Sequence, residues 1–343
     1  MEKAPGTVDV LVFAESTGQR LAPVSLELLA KGRELASVLQ GVMAAILIGK
    51  EVGELADELV AYGAERVYLA EDSRLELYQS EAYAEILAGL IREGPPEVVL
   101  VGATSIGTDL AARVAAKVGT GLTAHCIDLY IEDIEGRPVL TQIVPGWGGN
   151  LAVKIVCPRH RPQMATVKAG VLEKPTRDDE RRGEIVSLVP RLGEESFRAR
   201  SVALVEEEGE EETPLEEAER IVAVGWGMNS VGGIQPARDL AELLHAVLAG
   251  TRPVVDKGWL PDTRMIGQSG KTVRPKLLVS LGASGAMHFT TGFSKAKLVL
   301  AVDQNRQAPI FEVCDLGIVG NLQKILPCLL DEIRSAEATQ PQH

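Results

Sequence analysis

The sequence predicts an α/β chain of two domains, each an open, mostly parallel sheet with helices on both faces. Three observations carry this. Apolar runs of strand length alternate with stretches of helical period in the first half; the same alternation returns near residue 216; the stretch between is charged and lacks an apolar period. Strands that are apolar throughout, alternating with helices, mark a parallel sheet covered on both sides. A length of 343 residues also fits two domains better than one core. The predicted boundaries are 1–172 for a nucleotide-binding-like domain, 173–215 for a charged linker and 216–343 for a second domain.

In chain order, the expected strands of the first domain are Val8–Phe13, Ala44–Ile48, Arg66–Ala70 and Val98–Val101. The helices between them are Leu26–Leu39, Leu55–Tyr62, Glu81–Arg92 and Asp109–Val118. From about Asp128 to Val171 the texture changes, and Val139–Val144, Leu151–Val156 and Gln163–Val167 read as strands joined by short turns such as Pro145–Asn150. Glu173–Arg200 is charge-rich, and Glu206–Glu212 holds six glutamates, a pattern that favours an extended, solvated connector. In the second domain Ile221–Val224, Leu277–Leu281 and Lys297–Val302 read as strands. Pro236–Val247 reads as a helix with proline in its opening turn, and Asn321–Ile333 as a closing helix.

Composition removes several classes of function. Aromatic residues make up 4% of the chain, too few for base-stacking platforms, and the net charge of -13 repels phosphate backbones, so no nucleic acid is expected as a partner. No apolar run reaches the length of a membrane span, and the N-terminus lacks the basic start and long apolar run of a signal peptide. Cys126, Cys157, Cys314 and Cys328 form no CxxC pair, so no zinc or iron–sulfur site is expected, and isolated thiols fit a reducing cytoplasm. His125 beside Cys126, and Cys157 near His160, lack metal-site spacing, and His245 is expected to pack within an apolar helix.

Ligands on open parallel sheets sit beyond the carboxyl ends of the strands, so the loops that follow them matter most. Gly225-Trp226-Gly227-Met228-Asn229-Ser230 follows a strand but places Ser230 where a GxGxxG fingerprint needs its third glycine. Gly270-Lys271-Thr272 ends like a P-loop, but Met265 stands where the first glycine would be, which disfavours a nucleotide kinase or ATPase. Together the loops say more than each alone. Gly267-Gln268-Ser269-Gly270 precedes a strand and Gly282-Ala283-Ser284-Gly285-Ala286 follows it. Backbone amides opening a helix after Ser284 would favour a pyrophosphate, and Asp303 and Asp315 are acids suited to ribose hydroxyls. Such a set argues for a dinucleotide-sized ligand.

The stretch Leu281–Val319 resembles the C-terminal signature of the electron-transfer flavoprotein alpha subunit family, which includes FixB-like proteins. The match lies in Gly282–Ala286, in Pro309-Ile310-Phe311 and in Asp315-Leu316-Gly317-Ile318-Val319. Thr251-Arg252 is similar to the family's Ser/Thr-Arg pair, and Ile266–Lys271 to its VGQTGK loop. Gly119–Ala124, Gly148-Gly149-Asn150 and Arg161–Thr166 also fit in the first domain. The resemblance implies an FAD-binding C-terminal domain and a first domain that packs on a beta subunit in a heterodimer. It implies a redox carrier rather than an enzyme. Such a carrier takes electrons from flavin-dependent dehydrogenases, as the acyl-CoA dehydrogenases of fatty acid beta-oxidation, to a quinone-linked oxidoreductase. Alternatives are a subunit of an electron-bifurcating, NADH-dependent complex, or an enzyme that binds NAD or another adenine nucleotide.

The residues expected at FAD follow from that match. Arg252, with Thr251, is expected near the isoalloxazine, where a fixed guanidinium favours the reduced anionic ring. Ile266, Gly267, Gln268, Ser269 and Gly270 are expected along the ring edge. Ser284, Gly285 and Ala286 are expected at the phosphates and Asp303 and Asp315 at the adenosine end; Trp226 is expected to cover the adenine edge, where it cannot pair with phosphate, and Gly225, Met287 and Leu316 complete the expected set. The chain departs from the family at Trp226, where arginine is common, at His288-Phe289, where Gln-His is common, and at Asp303, where asparagine is common. Phe289 cannot donate to the flavin O2 region, and a residue one step along a helical turn points about 100° away, which argues against direct replacement by His288.

Overall fold

The computed structural model describes residues 8–146, 151–204 and 213–339. They form two compact units, the first built on residues 8–146 and 152–204, the second on 213–339.

In the first unit the chain runs β1 (Val8–Ala14), a small hairpin of β2 (Ser16–Thr17) and β3 (Arg20–Leu21), α1 (Pro23–Leu39), β4 (Val42–Gly49), α2 (Gly53–Ala61), β5 (Arg66–Glu71), α3 (Ser80–Glu93), β6 (Val98–Gly102) and α4 (Ser105–Val118). It continues with β7 (Leu122–Cys126), β8 (Asp128–Ile134), β9 (Arg137–Gly146), β10 (Leu151–Val156), β11 (Gln163–Val167) and β12 (Glu184–Leu188). Seven strands form one sheet in the order β12-β5-β4-β1-β6-β11-β7, with parallel pairing throughout. Apart from Asp9 near its start, β1 is apolar because both of its faces are buried. Val10, Val12 and Ala14 face α1 and α2, while Leu11 and Phe13 face α3 and α4. With both faces buried, no polar residue can occupy the middle of the strand without an internal partner.

After α4 the three expected strands are present, as β9, β10 and β11, but they do not lie in one sheet. β8 and β9 pair antiparallel about a turn at Glu135-Gly136, and with β10 they make a separate three-stranded sheet. β11 instead enters the main sheet between β6 and β7. The expected linker also needs correction over part of its length. Glu184–Leu188 pairs in register with Arg66–Ala70 at the sheet edge, and Phe197 is buried against the α3 side. β12 is only five residues long and its apolar Ile185, Val186 and Leu188 sit within a charge-rich stretch, so pairing with β5 rather than a local pattern makes it a strand. The glutamate run Glu206–Glu212 and the motif Gly148–Asn150 lie wholly or mostly outside the described residues.

The second unit contains β13 (Arg220–Val224), α5 (Gln235–Leu243), β14 (Val247–Gly250), α6 (Arg252–Asp256), β15 (Leu277–Leu281), α7 (Met287–Thr290), β16 (Val299–Asp303), β17 (Leu316–Val319) and α8 (Leu322–Thr339). All five strands are parallel, in the order β14-β13-β15-β16-β17. Val222 and Val224 face α5 and α8; Ile221 and Ala223 face the short helix α7 and the loops around Ile266 and Ile310. The expected helix Pro236–Val247 ends at Leu243 instead. His245 turns the chain with φ 47° and is exposed, and Val247 begins a strand paired to Ile221. An apolar run of four next to a helix has no period of its own, and pairing with β13 decides its conformation.

Among the described residues no helix is long and apolar enough to cross a membrane, and no group of three His, Cys, Asp or Glu side chains could hold a metal. Cys126 is buried, and burial pushes its thiol up to about 12, so it is an inert packing residue.

Candidate functional site

In the second unit the strand order reverses between β13 and β15, the switch point at which open sheets bind ligands. A cleft of about 490 Å³ opens there, within the usual range for small-molecule pockets. Backbone approach shapes its floor. Gly227 N donates to Gly282 O at 2.9 Å, and Gly225 N to Leu281 O at 2.9 Å, which ties the two loops together. Gly282 has φ 63°, and an ideal Cβ there would stand 2.9 Å from both Gly227 Cα and Leu322 Cδ1. Glycine is required on both counts.

Twelve of the expected residues line this cleft: Trp226, Thr251, Arg252, Ile266, Gly267, Ser269, Ser284, Gly285, Ala286, His288, Phe289 and Asp303. Arg252 is the first residue of α6; its Nε bonds Asp256 Oδ1 at 2.7 Å, and no described residue takes its Nη groups. The amides of Ser284, Gly285 and Ala286 donate to no acceptor among the described residues, and the Ser284 carbonyl accepts from Ile310 N at 3.0 Å. Free donors and a nearby guanidinium form a donor set for an anion. The helix expected after Ser284 is a single turn, Met287–Thr290, so its dipole is weak and the free amides must serve instead. The stronger dipole belongs to α8, whose first residue Leu322 lines the cleft together with Gly320; Asn321 Oδ1 caps it by accepting from Gln323 N at 2.8 Å.

The other expected residues sit elsewhere. Asp315 and Leu316 lie at the amino ends of the strands, away from the cleft. Asp315 Oδ2 accepts from Val299 N at 2.7 Å, which holds β16 and β17 in register, and Leu316 is exposed on the edge strand. The acid was placed at a strand end correctly, but at the wrong end of the strand. Gly225, Gly270 and Met287 shape the loops without lining the cleft. Gln268 does not line the cleft itself but holds His288, which does: its backbone N donates to His288 O at 2.7 Å, and its Oε1 lies 2.7 Å from His288 Nδ1. Gly320 and Leu322 escaped the sequence reading. The signal was a glycine and an asparagine cap after an apolar strand, a helix start in the same place as the other loops.

Two departures have visible structural roles. Trp226 is 44% exposed and stacks on Trp259 at 5.5 Å and 20°, with Lys257 Nζ 5.5 Å from its ring centre. Phe289 is 5% exposed and meets Phe293 edge-on at 4.9 Å, so it belongs to the core as much as to the cleft wall. Apolar Phe289 and open amides at Ser284–Ala286 fit a ligand that is flat and apolar at one end and phosphate-bearing at the other.

The family of known proteins described as "Electron transfer flavoprotein domain" matches residues 10–191, and "Electron transfer flavoprotein FAD-binding domain" matches residues 214–294. The chain is 40% identical to the electron transfer flavoprotein subunit alpha of Thermoanaerobacterium thermosaccharolyticum, over 95% of this chain and 98% of that one. It is 38% identical to the acryloyl-CoA reductase electron transfer subunit beta of Anaerotignum propionicum, over 96% of each chain. It is 37% identical to the lactate dehydrogenase (NAD(+),ferredoxin) subunit LctC of Acetobacterium woodii, over 96% of this chain and 77% of that one. A cleft at the switch point of a flavin-binding unit, on a chain aligned over nearly its full length, leads to one conclusion: the chain belongs to the electron transfer flavoprotein alpha subunit family.

Proposed function

We propose that the chain is the FAD-binding subunit of a heterodimeric electron carrier, with the cofactor seated between the β13 and β15 loops. One observation carries the reading: Arg252 and the free amides of Ser284–Ala286 converge on a single cleft at the switch point. When bound, FAD supplies reversible electron storage. The chain supplies the rest. Arg252 stabilises negative charge at the ring end, with Asp256 holding its guanidinium by Nε. The Ser284–Ala286 amides and the α8 terminus hold phosphate oxygens. Phe289 and Ile266 keep water from the inner wall. Asp303 lines the cleft at the β16 end, where it suits a ribose hydroxyl.

The first unit is the docking module for a beta subunit, and flavin-dependent dehydrogenases and a quinone-linked or other acceptor are the redox partners. The similarity to the Acetobacterium woodii protein, whose name joins NAD(+) and ferredoxin, favours a second reading in which the heterodimer serves an electron-bifurcating complex. Co-expression with a beta subunit from the same organism tests both. The expected product is a 1:1 complex with flavin absorbance that releases FAD on denaturation and bleaches on reduction. One FAD per heterodimer and no oxidation of NADH supports the simple carrier; two FAD, and NADH oxidation that requires a low-potential acceptor, supports bifurcation. A complex with adenine nucleotide but no flavin overturns both.

A further inference from the structure

We propose that His288 is the proton acceptor of the cleft, and that Gln268 is the positioning residue that selects which ring nitrogen accepts. The proposal rests on the flavin reading above and adds a proton to it. His288 lines the cleft, and its Nδ1 lies 2.7 Å from Gln268 Oε1. An amide oxygen only accepts, so Nδ1 carries the hydrogen, and in the neutral ring Nε2 is bare. Among the described residues nothing partners Nε2. The backbone bond from Gln268 N to His288 O, also 2.7 Å, fixes the two residues a second time, so the ring cannot exchange its nitrogens without breaking the side-chain bond of the clamp.

Neutral His288 therefore offers the cleft an acceptor. Protonated at Nε2 it becomes a donor and keeps the same bond to Gln268. Its sequence neighbour Phe289 cannot move a proton, so this function falls to His288 alone of the two. The charged groups on the surrounding elements are Arg252 with Asp256 on α6, Lys271 paired to Glu216 at 2.6 Å beyond the Gln268 loop, and Asp303 after β16. Lys271 is held by Glu216, and Arg252 gives only its Nε to Asp256. Negative charge arriving in the cleft favours the imidazolium as well as the Arg252 guanidinium. The step balances: electrons come from the redox partner to the bound ring, one O–H bond of a solvent hydronium breaks as one N–H bond forms at Nε2, water is left, and no bond of the chain breaks.

Nitrogen-15 histidine NMR of the flavin-loaded heterodimer, oxidised and then reduced with dithionite, tests this. Replacing His288→Gln identifies the resonance among the five histidines of the chain. The expected oxidised state is the Nδ1–H tautomer. On reduction at constant pH the protonated fraction of the His288 ring should rise. Gln268→Leu should convert the single tautomer into a mixture with flavin still bound. An Nε2–H tautomer in the oxidised protein, or a ring whose protonation is unchanged on reduction, overturns the proposal while the visible absorbance of the same sample shows the flavin reading intact. A sample without flavin absorbance overturns the flavin reading itself, and the proposal with it.

Discussion

In the first unit the crevice between the carboxyl ends of β1 and β6 is filled by the chain's own side chains. Glu15 follows β1 and is 8% exposed; the Thr104 hydroxyl, after β6, donates to Glu15 Oε2 at 2.5 Å. The same hydroxyl accepts from Gly107 N at 2.8 Å and caps α4. Ser25 Oγ donates to the Glu15 carbonyl at 3.1 Å and accepts from its amide at 2.8 Å. In the second unit the corresponding crevice, between β13 and β15, is bordered by the backbone of Gly227 and Gly282 and stays open. Both sheets have a switch point; among the described residues the second holds the cleft, while Glu15, Thr104 and Ser25 bond to one another at the first. Topology permits a ligand site, and the volume of the first side chains after the strands decides whether one forms.

The sharpest way to break this comparison is to fill the open crevice. In Gly282→Val a β-branched residue must take φ 63°, and its Cβ meets the Gly227 loop and Leu322. The left-handed conformation alone costs roughly 1–2 kcal/mol, and displacement of the neighbours brings the total above about 2 kcal/mol. Flavin content should fall at least about tenfold, for that free-energy loss in the bound loop geometry. The thermal transition of the second unit should drop with it, and that of the first unit should hold. Calorimetry and the visible spectrum measure the two together. Flavin content equal to wild type would mean that the ligand does not use this crevice.

The two crevices were not equally legible in the sequence. The glycines at Gly282 and Gly285 announce backbone approach, because a Cβ at either, with φ 63° and 82°, would run into the facing loop. Glu15 and Thr104 gave no comparable sign, because their meaning lies in a contact 89 positions apart. Local period found the helices α1 to α4 and the strands β1, β4, β5 and β6, all buried on one or two faces. It failed at β12 and β14, whose conformation is set by pairing with β5 and β13 rather than by their own pattern. The family resemblance found most cleft residues, yet put Asp315 there, because a motif does not say which end of a strand an acid occupies. Gly320 and Leu322 hold the corresponding place at the carboxyl end.

Removing the seal of the first crevice should have a smaller effect, confined to stability. Thr104→Val keeps the shape of the side chain and deletes both of its hydrogen bonds. Loss of the α4 cap costs about 1 kcal/mol, and loss of a donor to a buried carboxylate about 1–2 kcal/mol more. Urea denaturation followed by far-ultraviolet circular dichroism should show the combined loss, about 2–3 kcal/mol, with flavin content unchanged. A change under about 0.5 kcal/mol would show that water replaces Thr104 and that the crevice is less closed than its contacts indicate.

The finest test titrates the seal. Burial pushes the Glu15 carboxyl above its ordinary value, and the Thr104 bond only partly offsets this. The folded chain therefore keeps a proton there over a range of pH in which the unfolded chain has released it. Stability contributed by that group is then highest below the ordinary carboxylate value, falls as pH rises through the window up to the folded value, and stays lowered above it. Glu15→Gln removes the titration and leaves an amide oxygen to accept from Thr104. The difference in melting temperature between the variant and wild type should shift in favour of the variant as pH rises from about 4 to 7, a rise of a few degrees at most for a 200-residue unit. An amide nitrogen left without an acceptor would lower the variant equally at every pH, so the slope of the difference carries the result and its offset does not. A flat difference across that range would mean that Glu15 is ionised as readily in the folded crevice as in water, and that the first switch point is wetter than the second.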